Sequence, residues 1–145
     1  MVALPVFVAI AIFGFGGGVL RFAAPAPGLP ESLAAAFFVP ALGEELAFRG
    51  LLVPDARETS RPTLSFTLST AAFVAWHVVE AETFLPRAAP LFTNMFFLVC
   101  AAALGLGCGY ARWRTSSVWP AVAMHWLAVA AWQAFLGGPG LEALR

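Results

Sequence analysis

The sequence predicts an all-α, polytopic transmembrane bundle of about five helices, and three observations carry that reading. Apolar residues fill 61% of the 145 positions and charged residues only 11%, whereas ordinary soluble domains carry about 25% charged residues. Five apolar segments each approach the roughly 20 residues that take a helix across a bilayer. The joints between them are short and hold most of the proline and arginine. By length this is a single membrane-embedded domain, 1–145, with a core over about 32–136 and an extra N-terminal span over 2–20.

The first apolar segment is Val2–Leu20. A secretory signal is the competing reading, because small residues follow Phe22. Its leading end has no basic residue, however, and its apolar run exceeds the usual 7–15, so a retained span is favoured. Gly14, Gly16, Gly17 and Gly18 predict a bend or close packing there. Pro25, Pro27 and Pro30 fill the first joint, and the second segment is Ser32–Val53. Pro40 removes one helix hydrogen bond, which predicts a kink or interruption one turn before Glu44. The freed carbonyl beside a buried acid predicts a wet cavity.

Pro54, Arg57, Arg61 and Pro62 separate it from the third segment, Thr63–Val79. Glu80 and Glu82 then read as a solvated exit. Pro86, Arg87 and Pro90 lead to Leu91–Tyr110, and Arg112 and Arg114 to Val118–Leu136. Ser116 and Ser117 read as caps for the last helix, with Pro120 in its first turn. Tryptophans near span ends read as membrane anchors. Two arginines in each of the second and fourth connections, against Arg21 and Arg87 in the first and third, place the N-terminus in the cytoplasm. A composition rich in Ala, Gly, Pro and Arg, without lysine, points to a GC-rich bacterial genome and so to a bacterial inner membrane. Zero net charge leaves no basic patch for nucleic acid. Cys100 and Cys108 stand about 12 Å apart along one predicted helix, beyond disulfide reach, and read as buried thiols.

The chemistry concentrates in charges that the hydrophobic pattern does not allow for. Glu44, Glu45 and Arg49 lie inside the second segment, where each costs roughly 2.5–3.5 kcal/mol on insertion scales. An intramembrane ionisable group is by default a functional-site hypothesis with a named partner. Glu45 and Arg49 are i and i+4, on one face with the acid N-terminal, and predict an ion pair. Glu44 points about 100° away, toward Ala47 and Phe48, and has no in-helix cation, which suits a general base. His77 and His125, the only histidines, lie in two further spans. Three helices feeding ionisable groups to one membrane core describe a reaction centre or an ion path.

Other site types fit less well. Two imidazoles and a carboxylate could make a zinc set, but no His-Glu-x-x-His helix is present, and Glu80 rather than a second histidine follows His77. No serine sits in a Gly-x-Ser-x-Gly elbow. A carrier would show interrupted spans repeated in two halves, and no repeat stands out.

The motifs resemble those of the CAAX-protease and bacteriocin-processing family of glutamic-type intramembrane proteases. Gly43-Glu-Glu-Leu-Ala-Phe-Arg-Gly50 is similar to its first motif, Glu-Glu-x-x-x-Arg. Phe73-Val-Ala-Trp-His77 is similar to its second, Phe-x-x-x-His. The stretch Thr115–His125 is similar to the approach to its third motif, a histidine. The match runs over roughly Pro40–Ala130. The resemblance implies an endopeptidase acting on a membrane protein or peptide, without cofactor or metal. It implies that Glu44 activates water with help from His77, that His125 stabilises the oxyanion, and that Glu45 and Arg49 hold the first motif in shape. The third motif usually continues His-x-x-x-Asn, and Val129 stands at that asparagine's place. Asn94, the only asparagine, is the expected substitute, and a non-catalytic membrane partner or immunity protein is the alternative. The sequence does not name the substrate: a bacterial source argues against prenylated CAAX proteins and leaves bacteriocin leaders, anti-sigma factors and C-terminal sorting tags open.

The three groups must also meet. At ~1.5 Å per residue from the predicted cytoplasmic ends, Glu44 and His125 lie roughly 10–14 Å deep and His77 about 21 Å. A longer cytoplasmic start to the third helix, with tilt, is expected to bring them level at one polar cavity.

Overall fold

A computed structural model describes residues 2–25, 27–140 and 143. Among these the chain is wholly helical. Helix α1 spans Ala3–Gly16, and α2 spans Leu29–Ala36. The latter continues without a break as π-helical winding over Phe37–Glu44 and Leu46–Gly50. Helices α3 (Thr63–Thr83), α4 (Ala89–Phe92), α5 (Met95–Thr115) and α6 (Trp119–Phe135) complete the bundle. Helices α3 and α5 are long and apolar enough to cross a membrane. Outward-facing Leu4, Ile12, Phe38, Leu64, Leu68 and Phe135 give the bundle an apolar exterior, which suits lipid rather than water.

Pro40 does not break its span as expected. Its missing N–H and its ring conflict with the carbonyl four residues back in an α-helix. Widening to i→i+5 winding absorbs the conflict while the helix continues. The expected bend after α1 is present. The helix ends at Gly16, and Gly18 turns the chain with φ +70°. A side chain at Gly17 would overlap the Phe96 ring. Val6 of α1 joins Leu104, Cys108, Ala111, Ala121 and Met124 in one core cluster, so α1 packs as a layer of the bundle. Both cysteines are free and buried.

The fourth connection proves shorter than expected. Arg112 and Arg114 belong to the last turn of α5, where cations offset the helix dipole. Ser116 takes the left-handed conformation that ends α5 (φ 56°), and Ser117 Oγ accepts from Trp119 N–H at 3.3 Å. The loop after the π-helix folds onto this end through Ala56 N–H to Trp113 O (3.0 Å) and Trp113 Nε1–H to Thr59 O (3.0 Å). Arg57, Arg61, Arg112 and Arg114 therefore share one end of the bundle. The Arg57 side-chain hydrogen bond, with backbone N–H donors from Arg57 and Glu58, holds the Asp55 carboxyl below its usual range. Several indoles do more than anchor. Trp126 Nε1–H donates to Leu33 O (2.9 Å) and Trp132 Nε1–H to Val19 O (3.2 Å), tying α6 to distant segments.

Candidate active site

The first motif lies on the π-helical stretch, and its two glutamates face different surroundings. Glu45 and Arg49 are both fully buried and form the predicted ion pair, Nη1 to Oε1, at 3.0 Å. The guanidinium also lies 4.2 Å over the Phe73 ring, a cation–π contact worth ~2 kcal/mol when desolvated. A second bond was not anticipated: the same Glu45 Oε1 accepts from His125 Nδ1 at 2.9 Å. One carboxylate thus locks an arginine on its own helix and a histidine on α6. Because Nδ1 is used, Nε2 is the ring atom that faces Glu44, at 4.0 Å from its Oε2, beyond a direct hydrogen bond.

His77 is oriented by a local bond. Its Nδ1–H donates to Phe73 O, one turn earlier, at 2.9 Å, which leaves Nε2 as the acceptor of the neutral ring. Phe73, Phe92 and Phe97 hold the imidazole edge-on at 4.9–5.3 Å between centroids. The Phe73 ring also meets His125 at 5.6 Å, so both histidines flank one phenylalanine. Helix α3 has the longer start that the sequence suggested, which narrows the depth mismatch. Ser69 Oγ–H donates to Phe48 O at 2.8 Å, which leaves roughly 9 Å of α3 below the level of Phe48.

Glu44, His77 and His125 line a single cavity of about 730 Å³. Its walls are apolar for the most part rather than polar as expected, and α1 contributes Phe7, Ile10 and Phe15 to them. Pro40 lines it too, beside Glu44. Among the described residues, no group of three or more His, Cys, Asp or Glu side chains could hold a metal ion.

Gly105 of α5 lets the cluster close. A Cβ there would stand 2.9 Å from Arg49 Nη2 and 3.1 Å from Thr70 Cγ2. Gly105→Val is expected to lower stability by about 1–3 kcal/mol through overpacking. Gly50→Ala, whose Cβ would meet only ordinary contacts at 3.9 Å, is expected to be far milder. Thermal unfolding in detergent separates the two.

The family model described as Type II CAAX prenyl endopeptidase Rce1-like matches residues 27–131, which include all three motifs and the π-helical stretch. The chain belongs to this family. No curated protein and no solved structure matches it. Membership makes the chain a membrane-embedded member of a protease family, and helices α3 and α5 fit that setting. Helix α1 lies outside the matched region.

Two departures from the expected Rce1-like site follow from hydrogen bonding. Asn94, expected to substitute for the motif asparagine, is the N-cap of α5. Its Oδ1 accepts from Phe96 N–H (2.9 Å) and Phe97 N–H (3.3 Å), and it does not line the cavity. A helix start leaves its first N–H groups without partners, and asparagine is among the best residues to cap them. Val129 does line the cavity, so an apolar side chain stands where the family places an amide. The second departure is Glu80. It lines the cavity instead of marking a solvated exit, while Glu82 is exposed. The signal was its position at +3 from His77, which puts both on one helix face. Gln133, two turns beyond His125, also reaches the cavity.

Proposed function

We propose that the chain is an intramembrane endopeptidase that hydrolyses a peptide bond with glutamate-activated water. The observation that carries this reading is the convergence of Glu44, His77 and His125, from three helices, on one cavity. Glu44 has His125 as its near neighbour, and its Oε2 has no hydrogen-bond partner among the described residues. In this reading Glu44 takes a proton from water, with the His77 Nε2 lone pair as second acceptor. The resulting hydroxide attacks the scissile carbonyl. His125, held by Glu45 at its Nδ1, offers Nε2–H to the oxyanion. Donors held where negative charge develops contribute several kcal/mol to lowering the barrier. Glu45 and Arg49 position rather than react.

Four arginines at one end of the bundle support a cytoplasmic placement of that end, with the N-terminus on the same side. Residence in a bacterial inner membrane belongs to this proposal.

The test is cleavage by the purified protein, reconstituted in lipid vesicles, of membrane-associated peptides, with new termini identified by mass spectrometry. Cleavage that persists after chelation, by protein containing substoichiometric zinc on elemental analysis, is the expected result. Stoichiometric zinc lost together with activity would replace the glutamate reading with a zinc site on the two histidines. Val129 at the amide position favours a second reading, a non-catalytic membrane partner. Peptide binding without any cleavage would establish it.

A further inference from the structure

The cavity does not end at the catalytic cluster. It continues to the end of the bundle where α3 and α6 terminate, where Trp132 packs with Ala81, Ala88, Phe92 and Phe97. Two polar side chains line it there, Glu80 and Gln133. Both present acceptors. Glu80 is half-buried, and no arginine stands within ion-pair distance of it among the described residues. The Trp76 indole interacts with both the Glu80 and the Glu44 carboxyl groups. Gln133 is 7% exposed. Its Nε2–H donates to Pro139 O at 3.2 Å, which fixes the amide orientation, because a carbonyl cannot donate. Its Oε1 has no partner among the described residues.

A buried acceptor without a donor is destabilising, and a carboxylate in an apolar cavity calls for a cation. No arginine among the described residues lines this cavity. Arg49 is consumed by Glu45, and Arg21 is exposed, beside Gly137. A substrate with a free C-terminal carboxylate at this end would meet Glu80 with no arginine to balance it. We propose that Glu80, with the Gln133 carbonyl, is a specificity site for a cationic side chain, lysine or arginine, of the peptide substrate. The inference rests on the endopeptidase reading. Glu80 is one helical turn from His77, about 4.5 Å of rise. An extended peptide advances ~3.3 Å per residue, so the cation falls one or two residues from the scissile bond.

The probes are fluorescent apolar peptides, identical except for lysine, norleucine or glutamate at each of those positions. Binding is read by anisotropy on the detergent-solubilised protein, and cleavage is read separately. Lysine is expected to bind at least about tenfold tighter than norleucine, as a charge-assisted bond implies, and glutamate weaker than either. Glu80→Gln should abolish the lysine preference, and Glu80→Lys should turn it toward glutamate. Glu82→Gln, exposed two residues on, should leave it intact. Equal binding of lysine and norleucine peptides, no binding of any, or a preference that survives in a folded Glu80→Gln protein overturns the proposal. Cleavage without preference leaves the endopeptidase reading standing and removes this one. Lysine-selective binding without cleavage does the reverse.

Discussion

Glu44→Gln is expected to reduce cleavage by about 10²–10⁴-fold, the range that removal of a general base produces, while the protein stays folded and inserted. Glutamine keeps the shape of the side chain but cannot take a proton from water. Glu44 makes no ion pair with Arg49, and its nearest charge partner, His125 Nε2, is 4.0 Å away. The scaffold therefore loses little. The check is single-turnover cleavage in lipid vesicles beside thermal unfolding in detergent. Normal cleavage by the glutamine variant would end the base assignment. Loss of both cleavage and fold would make Glu44 structural.

Glu45→Gln is expected to do the opposite, and to cost about 3–5 kcal/mol of stability, the range for removing one partner of a buried pair. Arg49 is fully buried, and its Nε and Nη2 already have no partner among the described residues. The Phe73 ring cannot replace a carboxylate, since its attraction is the smaller. His125 loses its Nδ1 acceptor in the same step, so residual activity should fall as well. The double variant Glu45→Gln with Arg49→Met separates the two effects. It removes the stranded charge and is expected to recover much of the stability, as apolar replacement of buried pairs often does, but not the activity, because His125 remains unheld. Failure to recover stability would mean that the pair is not the source of the loss.

Much of the site was legible because charge in an apolar helix is costly and so conspicuous. Glu44, Glu45 and Arg49 stood out against a chain with 11% charged residues, and the i,i+4 rule paired Glu45 with Arg49 without any tertiary information. The Glu45–His125 bond could not be found that way. It joins residues 80 apart in sequence, and no local periodicity links them. Asn94, a lone amide in an apolar run, looks like a site residue in the sequence. The unpaired N–H groups at the start of α5 claimed it instead. Glu80 shows the converse. A carboxylate near a span end usually meets water, and only the cavity that Glu80 shares with Leu85, Trp132 and Gln133 turned that position inward.

Local covalent and steric rules, read from the sequence alone, were enough for an all-helical membrane chain, a disturbed helix at Pro40, a turn at the glycines after α1, an intrahelical ion pair and three helices carrying ionisable groups. Each follows from a period, a missing N–H, an absent side chain or the cost of charge in hydrocarbon, all of which act within a few residues. Tertiary structure alone decided that Pro40 widens its helix instead of breaking it. It also decided that about six residues of α3 precede the level of Phe48, that His77 and His125 both contact the Phe73 ring, and that Glu45 holds α6 as well as Arg49. Those outcomes depend on how helices slide and rotate against one another. That is set by close contacts such as Gly105 against Arg49 and Ser69 against Phe48, between segments whose mutual register no single stretch of sequence encodes.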